Sequence, residues 1–465
     1  MQINGVKLNT AHATAKSPNT KANPSAPQYE VAGTFKSDRW ERTTLLHDRD
    51  EIFVQRHFGP RAKHTDPEVV KAFGTDSPHS GDALLHYVGP ANPEKSKGKE
   101  PILLVHGANK DGNFFWDPKE DGSNKGLAQR LRDEGHEVYA ITFAHKQDDN
   151  FLWAEQIANA VDFIKKEQGV DKIDLLAHSK GCQAARIYTE NLQPGEGVQR
   201  TDYQDDVNAS LYVAGPHLGV DYVFRHPSAN LALLQNSDQH ILNAPASWES
   251  MGMYPFARDV SDMGYSNEGS DPFPGQDQLL ADLSSEYTLA VTEPDWATTY
   301  HGGQGFISYS KGIQHYIEQG GNVVERLNAA PPPESLKVGL LAGDRPNIKG
   351  ILNEYTGPSD GLVFISSALG MPKGTNVVAQ DVLPLNHKSL ISDEQGQDWI
   401  ANFFNDADTG KPQKIQVKPL DEILNKARNR FDAEGVKAQA ESQLGELKAL
   451  SRGTGEIPFQ VAPTV

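Results

Sequence analysis

The sequence predicts an α/β fold: a mostly parallel central sheet with helices on both faces. Three observations lead there. Short apolar runs recur from Pro101 onward, and longer stretches with helical spacing separate them. The run at Ile173–Ser179 also passes straight through a turn of small residues into a helix. Strand runs alternating with helical patterns are the mark of βαβ units, whose sheets are covered on both sides.

Taken in order, residues 1–28 are rich in Ala, Thr, Asn, Lys and Pro. They hold too little apolar surface to offset the entropy of ordering, so a flexible leader is expected over residues 1–39. Ile102–Gly107 reads as a buried strand ending in a glycine-containing loop, and His136–Phe143 as a second strand. Phe151–Glu167 carries Leu152, Ile157, Ala160, Val161 and Ile164 at helical spacing. Ile173–Ser179 is a third strand, followed by a helix from Lys180 to about Asn191. Ala209–Gly215, Leu336–Gly343 and Asn376–Leu383 supply further strands, and Leu390–Phe404 the closing helix. The catalytic domain is set at residues 40–410, with a helical extension over 411–465. In that extension Leu420, Ile423, Leu424, Ala427 and Phe431 mark one helical face, and Leu444, Leu447 and Leu450 another. Docking of these helices on the core or on another subunit is expected.

Composition narrows the function. The chain has 465 residues, with 44 Lys+Arg against 62 Asp+Glu and a formal charge of −18. That balance argues against nucleic acid or an anionic membrane surface as the main partner, since both reward positive charge. No run of about 18 apolar residues occurs, which excludes a transmembrane helix. The lone Cys182 excludes an internal disulfide framework and a cysteine-rich zinc site. The N-terminus lacks the apolar region of a secretory signal, leaving the cytoplasm or an unconventional export route as the expected compartment.

The chemistry is expected at the strand-to-helix turns. Ala177-His178-Ser179-Lys180-Gly181 sets a serine between small residues two positions away on each side. A nucleophile on so tight a bend needs small neighbours, because the backbone passes too close for larger side chains. The turn projects Oγ away from the sheet and aims the Lys180 amide, at the helix start, toward a developing oxyanion.

This pentapeptide resembles the nucleophile elbow of α/β-hydrolase lipases and esterases, in the subgroup with alanine in place of the first glycine. Val105-His106-Gly107-Ala108 resembles the oxyanion loop of such lipases, which implies the Ala108 amide as second oxyanion donor beside that of Lys180. Gly215-Pro216-His217-Leu218-Gly219 is similar to the Pro-His-x-Gly loop of bacterial lipases. Ser359-Asp360-Gly361-Leu362-Val363 resembles the segment that carries the acid of lipase triads. The resemblance covers about residues 100–405 and implies an α/β-hydrolase fold. Its chain order of Ser, Asp, His then points to His387, which lies after the last predicted strand and before the closing helix. Asp344 and Asp381 are weaker rivals for the acid. His178 is expected to support packing, the Lys180 side chain to lie on the surface, and Cys182 to be a small core residue.

About 120 residues separate the strands at Ala209–Gly215 and Leu336–Gly343, far more than an ordinary crossover. A cap over about residues 217–330 is expected, either lining an acyl pocket or packed on a small core of its own. Its candidates are Tyr222, Phe224, Leu231, Leu233, Leu234, Trp248, Tyr254, Phe256, Phe273 and Trp296, and Tyr300-His301-Gly302-Gly303 resembles a segment of lipase caps. The favoured function is a serine carboxylic-ester hydrolase of lipase or esterase type, with Ser179, Asp360 and His387 as triad and Ala108 and Lys180 as oxyanion donors. It needs no metal or organic cofactor, takes an ester or lipid as small-molecule substrate, and implies transient contact with a lipid interface. A polyester (polyhydroxyalkanoate) depolymerase, a phospholipase-type effector and a non-enzymatic binding protein of the same fold are the alternatives.

Overall fold

The computed structural model describes residues 27–49, 58, 63–119, 122–123, 125–195, 200–226, 275–289, 291, 296–304, 309–349, 351, 353–409 and 419–432. Nine strands form one sheet. Their spatial order is β1 (Tyr29–Phe35), β2 (Arg42–Asp48), β3 (Asp82–Tyr87), β5 (Val138–Phe143), β4 (Ile102–Val105), β6 (Ile173–His178), β7 (Val207–Val213), β10 (Lys337–Gly343) and β11 (Val377–Leu383). A separate hairpin pairs β8 (Gly303–Gln304) with β9 (Tyr309–Ser310). From β5 to β11 every pairing is parallel. The three N-terminal strands join antiparallel, with β3 antiparallel to β5. This is the mostly parallel α/β sheet, covered by helices on both faces, that the sequence predicts.

Why both faces are covered follows from the strands themselves. Successive residues point to opposite sides. Leu103, Val105, Leu175, Ala177, Leu340 and Ala342 therefore join one core with the helices α3 (Asn150–Gln168) and α4 (Lys180–Thr189). Their neighbours Ile102, Leu104, Leu176 and Leu341 join the other, beneath α2 (Leu127–Asp133) and the helix Glu394–Thr409. A strand flanked by two cores leaves few positions for a polar residue, which is why these strands are legible as largely apolar runs.

Two features lie outside those expectations. β1 begins inside the segment read as a leader, and Tyr29 packs against the main core. β2 and β3 bury polar side chains beside apolar ones: the His86 ring bridges Thr43 at 2.8 Å and Thr142 at 2.8 Å, next to buried Leu84 and Leu85. At the other end of the chain, Ile423 and Ala427 of the helix 420–432 join the main core, with Leu420 and Leu424 against it. Leu444, Leu447 and Leu450 lie outside the described residues. No described helix is long and apolar enough to cross a membrane.

A buried carboxyl pair gives this sheet a pH signature. Asp174, at the start of β6, accepts from Asn208 and from the Ala209 amide, and lies beside Asp408 at the end of the closing helix. Burial pushes both groups up, the Asp408 carboxylate discourages ionisation of Asp174 further, and Asp408 reaches about 6. The folded chain thus holds a proton that the unfolded chain releases near pH 4, so stability falls as pH rises from about 4 through 6. Asp408→Asn removes one charge and supplies a donor. It is expected to raise the unfolding midpoint by roughly 2–4 °C at pH 8 and to change it little at pH 5; equal shifts at both pH values would refute the pairing.

Candidate active site

β6 ends at His178, and the backbone turns sharply into α4 through Ser179, whose φ of 56° and ψ of −128° fall in a region that L-residues avoid. Such a conformation costs about 1–3 kcal/mol and persists only where its surroundings enforce it. Two bonds enforce it here. The Ser179 amide donates to Val213 O at 2.9 Å, and the Cys182 amide donates to Ser179 O at 2.9 Å. Gly181 must be glycine, since a Cβ there would sit 2.5 Å from His106 O. Ser179 itself is half-buried, so its hydroxyl is reachable.

The loop after β10 and the loop after β11 bring two further side chains to this serine. His387 Nε2 lies 2.9 Å from Ser179 Oγ, and His387 Nδ1 lies 2.8 Å from Asp360 Oδ2. A carboxylate offers only acceptors, so Nδ1 carries the ring proton and Nε2 faces the hydroxyl as an acceptor. Asp360 is fixed by its other oxygen, which accepts from the amides of Leu362 (3.0 Å) and Val363 (2.9 Å). The backbones are tied too, as the His387 amide donates to Asp360 O at 2.9 Å. The arrangement can pass a proton from hydroxyl to imidazole and stabilise the imidazolium that results. Asp344, the rival acid, instead pairs with Arg430 of the helix 420–432. Asp381 belongs to β11 and lines a cleft against that same helix.

His178 packs under this group, with its ring 4.8 Å from that of His387 and Nε2 donating to His387 O at 2.9 Å. Burial, then the neighbouring His387, push His178 well below the usual imidazole range. The loop after β4 runs alongside the serine. A Cβ on Gly107 would lie 2.7 Å from Ser179 Cβ, so no side chain fits there. The Phe143 amide donates to His106 Nε2 at 3.4 Å, which leaves Nδ1–H to donate to Gly107 O at 2.7 Å. Burial holds this ring neutral by lowering its pKa to about 3. Because the peptide is planar and trans, a Gly107 carbonyl turned toward His106 turns the Ala108 N–H the opposite way.

The Lys180 side chain is not on the surface. It is 1% exposed, donates through Nζ to Asp148 O at 2.6 Å, and sits 3.3 Å above the centre of the Trp153 ring. Burial pushes this amine well below its ordinary range, against the opposing pull of Asp148 and Asp149. The surface expectation rests on the usual behaviour of lysine and on the polar stripe of Lys180, Gln183 and Arg186 along one face of its helix, whereas the structure buries every residue of that helix. Cys182 is a fully buried core residue, its thiol pushed up by burial. His217, in the Gly-Pro-His loop, is also buried, and its carbonyl accepts from Arg186 and Asn328. That loop serves as a clamp beneath the cap.

The described part of the segment 217–330, expected as a cap, has its own small core of Phe224, Leu280, Tyr300, Ile313 and Tyr316. Tyr222 and Trp296 are half-buried; Leu231, Leu233, Leu234, Trp248, Tyr254, Phe256 and Phe273 lie outside the described residues. A buried charge network joins the cap base to the acid loop, and the sequence gives no hint of it. Arg225 donates to both oxygens of Asp221 (2.5 and 3.1 Å), which also accepts from Tyr300 Oη at 2.7 Å. Glu354 lies 3.8 Å from Arg225 and 3.0 Å from His226. Burial works to raise Glu354, but His226 and Arg225 prevail and keep it below the usual carboxyl range. Glu354 in turn holds the acid loop, its amide donating to Gly361 O (2.7 Å) and its carbonyl accepting from Ser359 Oγ (2.9 Å). Among the described residues no cluster of His, Cys, Asp or Glu is arranged to hold a metal ion.

No family model matches the chain. It is similar to a lipase of Bacillus licheniformis in its mature form, at 15% identity and a TM-score of 0.40, over 69% of this chain and 97% of that one. It is also similar to Est1E of Butyrivibrio proteoclasticus (12% identity, TM-score 0.36, 71% of this chain and 96% of that one). An esterase of Exiguobacterium antarcticum gives 11% identity and a TM-score of 0.35, over 70% and 96%.

Proposed function

We propose that this protein is a serine hydrolase that cleaves carboxylic esters through an acyl-enzyme. The observation that carries the reading is the unbroken line of contacts from Ser179 Oγ through His387 to Asp360, at 2.9 and 2.8 Å. His387 takes the proton of Ser179 as Oγ attacks the ester carbonyl. The resulting oxyanion is held by the amides of Lys180 and Ala108. Collapse breaks the acyl–oxygen bond, and the alcohol leaves with the proton that His387 returns. Water then attacks the acyl group, giving its proton to His387, and the acid departs as Ser179 is restored. Each oxyanion donor accounts for roughly 3–4 kcal/mol of barrier lowering in enzymes of this kind.

The test is hydrolysis of p-nitrophenyl esters from acetyl to palmitoyl, alongside labelling with a fluorophosphonate. Turnover with one phosphonyl group per chain, located on Ser179, is expected. The chain-length optimum separates a lipase from a short-chain esterase. A folded protein that neither hydrolyses any ester nor takes the label overturns the reading.

A further inference from the structure

The side chain of the buried lysine beside the nucleophile has no task in the mechanism above, yet it joins the parts that the mechanism needs in register. The two oxyanion amides belong to different segments: Lys180 to the elbow after β6, and Ala108 to the loop after β4. The sheet pairs Val105 with Ala177, and Gly107 and Gly181 let the two segments pack directly on each other. Two further routes tie them together, and both start at Lys180 Nζ.

The first route is polar. Nζ donates to Asp148 O at 2.6 Å, and two residues earlier in the same turn Lys146 O accepts from the Asn109 amide at 3.1 Å. The turn between them is stapled internally, with the Asp148 amide donating to His145 O at 3.2 Å. The segment just after Ala108 is therefore linked to the elbow through one rigid turn. The second route is aromatic. Trp153 is stacked on Phe143 at 4.1 Å, which leaves its other face for the Lys180 ammonium. The edge of the indole meets His106 at 5.2 Å, and His106 holds the Gly107 carbonyl whose orientation sets the Ala108 N–H.

We infer that Lys180 is a positioning residue: its buried ammonium braces the elbow against the 106–109 loop and so sets the spacing of the two oxyanion donors. This rests on the ester-hydrolase reading. The brace does not touch substrate. Its loss therefore weakens stabilisation of the transition state and leaves ground-state binding nearly intact.

Two variants test it against p-nitrophenyl esters. Lys180→Met keeps length and apolar bulk but removes both charge and donor. Lys180→Gln keeps a donor. The expected result is a kcat about 10- to 100-fold lower in Lys180→Met, with KM within about twofold, in line with the cost of misplacing catalytic groups by a fraction of an ångström to an ångström. Lys180→Gln recovers part of that loss. Fluorophosphonate labelling slows by the same factor as kcat, since it passes through a similar oxyanion. Unchanged kcat in either folded variant overturns the inference. So does an equal loss in both variants that tracks a raised KM and a lowered unfolding midpoint, which would mark Lys180 as merely structural. If Lys180→Met does not fold, the decision falls to Lys180→Gln and to Trp153→Leu, which removes the aromatic route and is expected to show the same kcat-only split. Wild-type protein that lacks esterase activity and phosphonate labelling altogether refutes the ester-hydrolase reading instead, so the two failures are distinguishable.

Discussion

Ser179→Ala is expected to lower kcat for p-nitrophenyl ester hydrolysis by about 10⁴- to 10⁶-fold, the range seen when a triad nucleophile is removed. The hydroxyl carries the whole covalent route, and the half-buried elbow offers no second nucleophile: Cys182 is fully enclosed. The same position makes a second, opposite demand on the fold. At φ 56° and ψ −128° any Cβ is strained, so alanine inherits the strain and glycine escapes it. Ser179→Gly is therefore expected to be as inactive as Ser179→Ala yet to unfold roughly 2–4 °C higher than it. Steady-state kinetics and thermal unfolding followed by circular dichroism read the two effects separately. An alanine variant that retains a tenth of the activity would remove Ser179 from the chemistry.

Asp360→Asn ranks second, with a kcat loss of about 10⁴-fold expected at neutral pH. The shape of the side chain is preserved, and so is the oxygen that accepts from Leu362 and Val363. With that oxygen held in place, the amide nitrogen faces His387 Nδ1. Nδ1 must then accept, so the ring proton moves to Nε2, which can no longer receive the proton of Ser179. The variant is expected to fold like wild type and to bind substrate with a similar KM, so the defect appears in kcat. Retention of most of the activity would mean that Asp360 is only a loop anchor, with the loop backbones positioning the imidazole unaided.

How much of this was legible in the sequence depended on what each element buries. The strands from β4 onward lie between two apolar cores and announce themselves as continuous runs. The elbow announced itself because a tight strand–turn–helix bend excludes large side chains at Ala177 and Gly181. Ser179, Asp360 and His387, read from chain order and resemblance, are brought within hydrogen-bonding distance of one another in the structure. β1, β2 and β3 stayed hidden because their interior is partly polar: Thr43, His86 and Thr142 satisfy one another across three strands, a pairing that no local pattern records. The burial of the Lys180 side chain is hidden from the sequence for a related reason. A cation becomes tolerable in the interior only when a carbonyl and an aromatic face come from elsewhere in the chain. Asp148 and Trp153 are such partners, and sequence proximity does not announce them.

The charge network at the base of the cap has a consequence for how this molecule can change over time. Arg225 is enclosed between the carboxyl groups of Asp221 and Glu354, and removing one partner from such a buried set strands the others at high cost. Glu354 also shapes the turn that carries Asp360. The cap base and the acid loop therefore cannot be altered independently. The root of the segment 217–330 is thereby placed under the same constraint as the proton relay. On the proposed mechanism, selectivity can drift at the periphery while the junction stays fixed, and a graft of a foreign cap would have to bring its own Asp221 and Arg225 or rebuild the acid loop with it.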